Sequence, residues 1–165
     1  MANALPQLEF VPALKLAYSR IKDMTGRSRR SEFWWAILAI GVAGFILGLI
    51  PKIGPIFQFA SWVVAAPLMI RRLHDTGKGP NLVYAYVIIA ALVMIMGLII
   101  RFNPLSVLGI VGVLATLCSI AWGVIGIILI VFCVQDSEPK TNQYGPSPKY
   151  PEGPENPTPE NPAQQ

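Results

Sequence analysis

Apolar residues in this chain come in long unbroken runs rather than in the alternation of a strand or the stripe of a surface helix. From Phe33 to Ile70 the only charged side chain is Lys52, and from Leu82 to Val134 the only one is Arg101. A helix on the surface of a soluble domain keeps one face wet, so runs that are apolar on all sides at about 20 residues predict membrane spans. The first block is broken by Pro51-Lys52-Ile53-Gly54-Pro55, a turn sequence with a charge in it. It predicts two short spans, 33–50 and 54–70, joined by a tight turn. A polar loop over 71–81 follows, then a third span at 82–100 and a turn at Arg101-Phe102-Asn103-Pro104. The last run, 105–134, is long for one span and short for two. Either it is one tilted helix, or a short interfacial piece breaks near Gly109 and Gly112 ahead of a span over 108–134. The expected fold is all-α: four transmembrane helices in two hairpins.

The two ends differ from this core. Val11, Leu14, Tyr18 and Ile21 recur at helical spacing, with Lys15, Arg20 and Lys22 on other faces and Pro12 suited to a helix start. This predicts an N-terminal amphipathic helix at the membrane interface, within a segment 1–32. The segment 135–165 holds eight of the 15 prolines and no isoleucine, leucine or valine. It reads as a Pro-rich tail, disordered from Tyr150 onward.

Composition agrees: 53% of the 165 residues are hydrophobic and only 13% charged. The distribution of lysine and arginine sets the orientation. Lys15, Arg20, Lys22, Arg27, Arg29, Arg30, Arg71, Arg72, Lys78, Lys140 and Lys149 fall on one side of the expected spans, against Lys52 and Arg101 on the other. The positive-inside rule then puts both termini in the cytoplasm. Trp34, Trp35, Tyr84 and Tyr86 open the first and third spans at that same interface. No cleavable signal peptide is expected, because the first apolar run begins at Phe33 behind a basic segment and is long enough to stay as an anchor. Cys118 and Cys133 lie fifteen positions apart on one apolar run, roughly 22 Å along a helix, and are read as small core residues.

Three polar clusters stand out: Gly26 to Trp35 before the first span, Arg71 to Gly77 after the second, and Thr141 to Pro148 after the fourth. The deduced topology places all three on one face. Within them run G-R-x-x-R-x-E-F-W from Gly26 to Trp34, R-R-x-H-D from Arg71 to Asp75, and N-x-Y-G-P-x-P from Asn142 to Pro148. In these three motifs, in this order, the chain resembles the domain-of-unknown-function 805 family of small bacterial inner-membrane proteins, over roughly residues 10–149. The resemblance implies a multi-spanning protein of the bacterial cytoplasmic membrane and supplies no activity. One departure is Gly79-Pro80-Asn81-Leu82 where family members often carry an aromatic pair.

The clusters admit two readings. In one, Glu32 pairs with Arg71 or Arg72 to fix the first two spans, His74-Asp75 caps a helix end with Gly77 as a left-handed turn, and Asn142, Tyr144, Gly145 and Pro146 serve as structural anchors. In the other, Arg27, Arg29, Arg30, Arg71 and Arg72 bind an anion or lipid head group, with His74 handling protons. Other chemistry fails on context. Asp75-Thr76-Gly77 lacks the second aspartate and the β scaffold of an aspartic protease. Gly77-Lys78-Gly79 lacks the spacing of a phosphate loop, and one histidine far from the cysteines makes no zinc site. The basic residues are explained by topology, so no nucleic-acid partner is expected, nor any cofactor or metal. Gly44-x-x-x-Gly48 and Ala115-x-x-x-Ser119-x-x-x-Gly123 allow close helix contact within a monomer or a homo-oligomer. No span carries an ionisable residue at mid-depth, which argues against a proton-coupled pump. The leading expectation is a non-enzymatic membrane scaffold or accessory protein that binds membrane lipids, through anionic head groups, or a membrane-protein partner. A small oligomeric transporter or channel is the alternative, and a lipid-modifying enzyme using Glu32, His74 and Asp75 comes third.

Overall fold

The computed structural model describes residues 4–50 and 54–150, with the side chains of 54–56 and 59 outside the description. Five α-helices occur in the order α1 (Phe10–Ser19), α2 (Arg30–Gly48), α3 (Gly54–Asp75), α4 (Asn81–Phe102) and α5 (Ile110–Val134), with a 3-10 helix at Pro104–Leu108 before α5. No β-strand is present among the described residues beyond an isolated bridge between Asn142 and Gly145. The helices α2, α4 and α5 are long and apolar enough to cross a membrane. Large apolar side chains such as Phe45, Ile88, Leu117 and Ile127 stand exposed on them. Soluble monomers rarely leave such continuous apolar surface in water, so these helices suit a membrane-embedded protein.

The chain forms two compact units, one of residues 1–79 and 135–165 and one of residues 80–134. The expected division into 1–32, 33–134 and 135–165 follows composition, whereas these units follow packing. In the first unit α1 packs on α2 and α2 on α3. In the second α4 packs on α5, and the 3-10 helix touches both. Tyr86 stacks on Trp122 there at 5.2 Å between ring centroids.

One boundary moves from its expected place, one open alternative is decided, and the buried face of α1 differs from the expected stripe. The helix α3 does not stop at Ile70; it carries Arg71-Arg72-Leu73-His74-Asp75 as its last turns, which the charge pattern alone assigns to a loop. The helix continues because those polar side chains find partners at its end instead of needing water. The run 105–134 resolves into the separate 3-10 helix and α5. Gly112 is where they meet, since a Cβ there would collide with the Val107 carbonyl. On α1, Val11 and Tyr18 of the expected apolar stripe are exposed and Ala13 is the buried residue.

The tail expectation also divides. Residues 135–150 follow a defined path with Ser137 and Ser147 buried. Polar side chains and backbone groups hold this segment, so its lack of isoleucine, leucine and valine does not prevent order. The expected disorder beyond Tyr150 lies outside the described residues. The first unit's interior is accordingly polar at one end. Among its most deeply buried side chains are Arg71, Arg72, Glu32 and Asp75, beside Ile70 and Leu73.

Candidate functional site

Arg27 is the centre of the polar end. A guanidinium has five N–H donors, and here five acceptors receive them. Nε donates to Asp75 Oδ1 at 2.9 Å, Nη1 to the Lys140 and Gly145 carbonyls at 2.8 and 3.3 Å, and Nη2 to the Asp75 and Glu138 carbonyls at 3.2 and 2.6 Å. One buried side chain therefore joins the segment before α2, the end of α3 and the segment after α5.

Arg71 and Arg72 leave α3 in different directions. Arg71 donates to Glu32 Oε1 at 3.4 Å, to the Arg20 carbonyl at 2.5 Å and to the Asp23 carbonyl. The Arg71–Glu32 pair is 1% exposed on both sides. Glu32 also lies in the first turn of α2, where a negative charge complements the helix dipole. Arg72 donates to Asp75 Oδ2, to the Ser28 carbonyl at 3.3 Å and to the Gln135 carbonyl. The Ser137 hydroxyl donates to the same Oδ2 of Asp75. Burial pushes the Asp75 carboxyl above its ordinary value, and the Ser137 hydroxyl, Arg72 and Arg27 pull it back down.

His74 is held from both sides. Its Nδ1 lies 3.1 Å from the Gly26 carbonyl, which can only accept, so Nδ1 carries the proton. Its ring stacks on Tyr144 with centroids 3.6 Å apart and planes 3° from parallel. Nε2 is buried with no hydrogen-bond partner among the described residues. Burial lowers the His74 pKa from 6.5, and the Gly26 carbonyl opposes that shift. The shift favours the neutral imidazole, whose lone pair would sit at Nε2.

After Asp75, Gly77 at φ 71° turns the chain, with Gly77 N–H on the His74 carbonyl at 3.1 Å and Lys78 N–H on the Leu73 carbonyl at 2.9 Å. That pair of bonds closes the helix in a Schellman motif. Asn142 Nδ2 donates to the His74 carbonyl and to Glu138 Oε2, both at 2.9 Å. Its Oδ1 accepts the Tyr144 N–H at 3.0 Å, and Gly145 follows at φ 117°. Pro146 is exposed beside it.

Arg29 and Arg30 part company with the buried arginines. They open a cleft of about 460 Å³ lined by Leu5, Pro6, Gln7, Ser31, Trp34, Trp35, Leu38, Asp136 and Lys149 as well. Arg29 donates to the Pro6 carbonyl at 3.3 Å, and Arg30 lies 3.9 Å from Asp136, both partners 48% exposed. Lys149 holds Asp136 more closely, at 2.5 Å. Burial pushes the Asp136 carboxyl up, but Lys149, the Ser137 N–H and Arg30 together hold it below its usual value. The cleft wall is stitched by Leu8 N–H to Ser31 Oγ at 3.1 Å, Trp35 Nε1 to the Leu8 carbonyl at 3.1 Å, and Leu5 N–H to the Lys149 carbonyl at 2.9 Å.

Sequence reasoning does not single out Ser28, Ser31, Asp136, Ser137 or Glu138. The signal for Asp136 is its place two residues after the last apolar run. The serines and Glu138 act mainly through the chain path, which no local spacing discloses.

The family described as a protein of unknown function, DUF805, matches residues 21–146. The chain belongs to the DUF805 family. No curated protein and no solved structure matches it. In this DUF805 protein the matched range takes in the whole network around Arg27, Arg71, Arg72 and His74 except Arg20, whose carbonyl receives Arg71. The cleft differs: Leu5, Pro6, Gln7 and Lys149 lie outside the matched range, while Arg29, Arg30, Trp34 and Asp136 lie within it.

Proposed function

We propose that this DUF805 protein is a non-enzymatic protein of the bacterial cytoplasmic membrane that binds anionic lipid head groups at Arg29 and Arg30. In this reading the apolar part of α3, over 54–70, is the fourth span beside α2, α4 and α5, its last turns lie outside the bilayer, both termini are cytoplasmic, and α1 lies at the inner interface. The buried motifs act as a lock rather than as a ligand site. The observation that carries the reading is the division among the arginines: Arg27, Arg71 and Arg72 are buried on protein acceptors, while Arg29 and Arg30 line an open cleft. Trp34 and Trp35 beside them suit the head-group level of a bilayer. The eleven-to-two bias of lysine and arginine supports a place for that cleft at the anionic inner leaflet. Against catalysis by Glu32, His74 and Asp75 stands their engagement, since each holds another part of the chain in place.

Quantifying lipid retained by the purified protein tests the reading. Enrichment of phosphatidylglycerol over phosphatidylethanolamine, relative to the membrane of origin, is expected for the wild type and lost in Arg29→Ala/Arg30→Ala. Equal lipid composition in both would overturn it.

A further inference from the structure

Below the basic cleft, the outer face of α2 carries a second depression of about 460 Å³, lined by Trp34, Ile37, Leu38, Gly41, Val42 and Phe45. Trp34 and Leu38 line both spaces, so the basic cleft and the apolar groove adjoin. Gly41 makes the floor: a Cβ there would meet nothing within 4 Å. Phe45 stands 73% exposed at the far end, with Leu38 and Val42 exposed between. On a helix these positions share one face, because residues three and four apart lie over one another.

The charge at the upper end is equally specific. Lys149 holds Asp136 at 2.5 Å, whereas Arg30 lies 3.9 Å from it and Arg29 meets only the Pro6 carbonyl among the described residues, at 3.3 Å, so Arg29 and Arg30 are the more loosely held cations of the cleft. Two guanidiniums in line with an apolar trough about a helix face wide match a phosphate continued by a hydrocarbon chain. We propose that cleft and groove together are one site for a single diacyl anionic phospholipid, its phosphate at Arg29 and Arg30 and one acyl chain laid along α2 over Gly41. This rests on the head-group reading above and adds the chain, so the lipid is a retained ligand and not only part of the bilayer. Asp136 is the negative group at the head-group position and opposes the phosphate.

The whole chain in phosphatidylcholine nanodiscs doped with phosphatidylglycerol, released into native mass spectrometry, supplies the measurement. Wild type is expected to retain one phosphatidylglycerol, and the soluble chain-free head group, glycerophosphoglycerol, should fail to displace it. Gly41→Leu fills the groove and is expected to lower retention about tenfold, the size of losing one well-buried apolar contact set. Its thermal stability should stay at the wild-type level, because the position is open and leucine suits a helix. Arg29→Ala/Arg30→Ala should lower retention by about tenfold or more, and Asp136→Asn should raise it. If Gly41→Leu retains lipid as wild type does while the arginine variant loses it, the chain groove is refuted and the head-group reading stands. If neither variant changes retention, both are refuted. Retention of a polypeptide in place of lipid, displaced by Gly41→Leu, would also overturn the proposal.

Discussion

His74 and Tyr144 lie ring on ring, 3.6 Å apart and within 3° of parallel, although seventy positions separate them in the chain. The contact places the segment after α5 on the last turn of α3, and the hydrogen bond from Asn142 to the His74 carbonyl lies alongside it. A flat imidazole stacked this closely has no room for water on that face, which contributes to its burial. Tyr144→Phe keeps the stacked ring and should leave stability unchanged. Tyr144→Ala should cost about 0.5–1.5 kcal/mol beyond the lost burial. Thermal unfolding in detergent, with hydrogen exchange of residues 138–146, distinguishes the two variants.

The His74 environment also predicts a dependence on pH. Its folded pKa is lowered from 6.5. Between the folded value and the unfolded one, the unfolded chain binds a proton that the native chain refuses. Stability from this group is therefore complete above about 6.5 and declines as pH falls below it. His74→Gln should flatten that part of the stability profile between pH 7 and 5. A decline of the same size in the variant would assign the effect to another group.

The Arg27 side chain is 1% exposed, and its fork meets acceptors on the end of α3 and on the segment after α5. Arg27→Lys keeps the charge but not the planar set of donors. A loss of about 1–3 kcal/mol is expected for each buried carbonyl left without its donor. Limited proteolysis should then cut within residues 135–150 at a protein concentration and time that leave the wild type whole.

Gly77 sits at φ 71°, and a Cβ there would run into the Glu138 carboxylate. Gly77→Ala should cost roughly 1–2 kcal/mol from the left-handed backbone alone, with more from moving Glu138. Gly97, inside α4, has open space where a methyl would sit, with nothing within 4 Å. Gly97→Ala should therefore leave the unfolding temperature equal or higher. Equal effects at the two positions would remove the conformational argument for Gly77.

Much of the fold is legible in the chain because burial in lipid and burial in protein leave different marks. Runs of apolar residues near 20 long declare α2, α4 and α5 almost to their ends. The junction of the 3-10 helix with α5 stays open between two readings in the sequence, since it depends on the Val107 backbone lying against Gly112. The end of α3 is misplaced for a related reason. Arg71-Arg72-Leu73-His74-Asp75 looks like a loop to any scale that ranks polar groups by their cost of leaving water, and here the protein itself supplies the partners.

The candidate site divides along the same line. The three motifs are visible as residues, and so is the pairing of Glu32 with one of Arg71 and Arg72. Sequence by itself determined the helical class, the apolar runs and the arginines, Glu32, His74 and Asp75 of the polar motifs, because those depend on composition and local spacing. Tertiary structure alone decided that Arg27 joins three segments, that His74 stacks on Tyr144, and that Arg29 and Arg30 stay at an open cleft while their neighbours are buried. Hydrogen bonds between positions far apart in the chain have no local periodicity, and only the packed fold brings donor and acceptor within about 3 Å of each other.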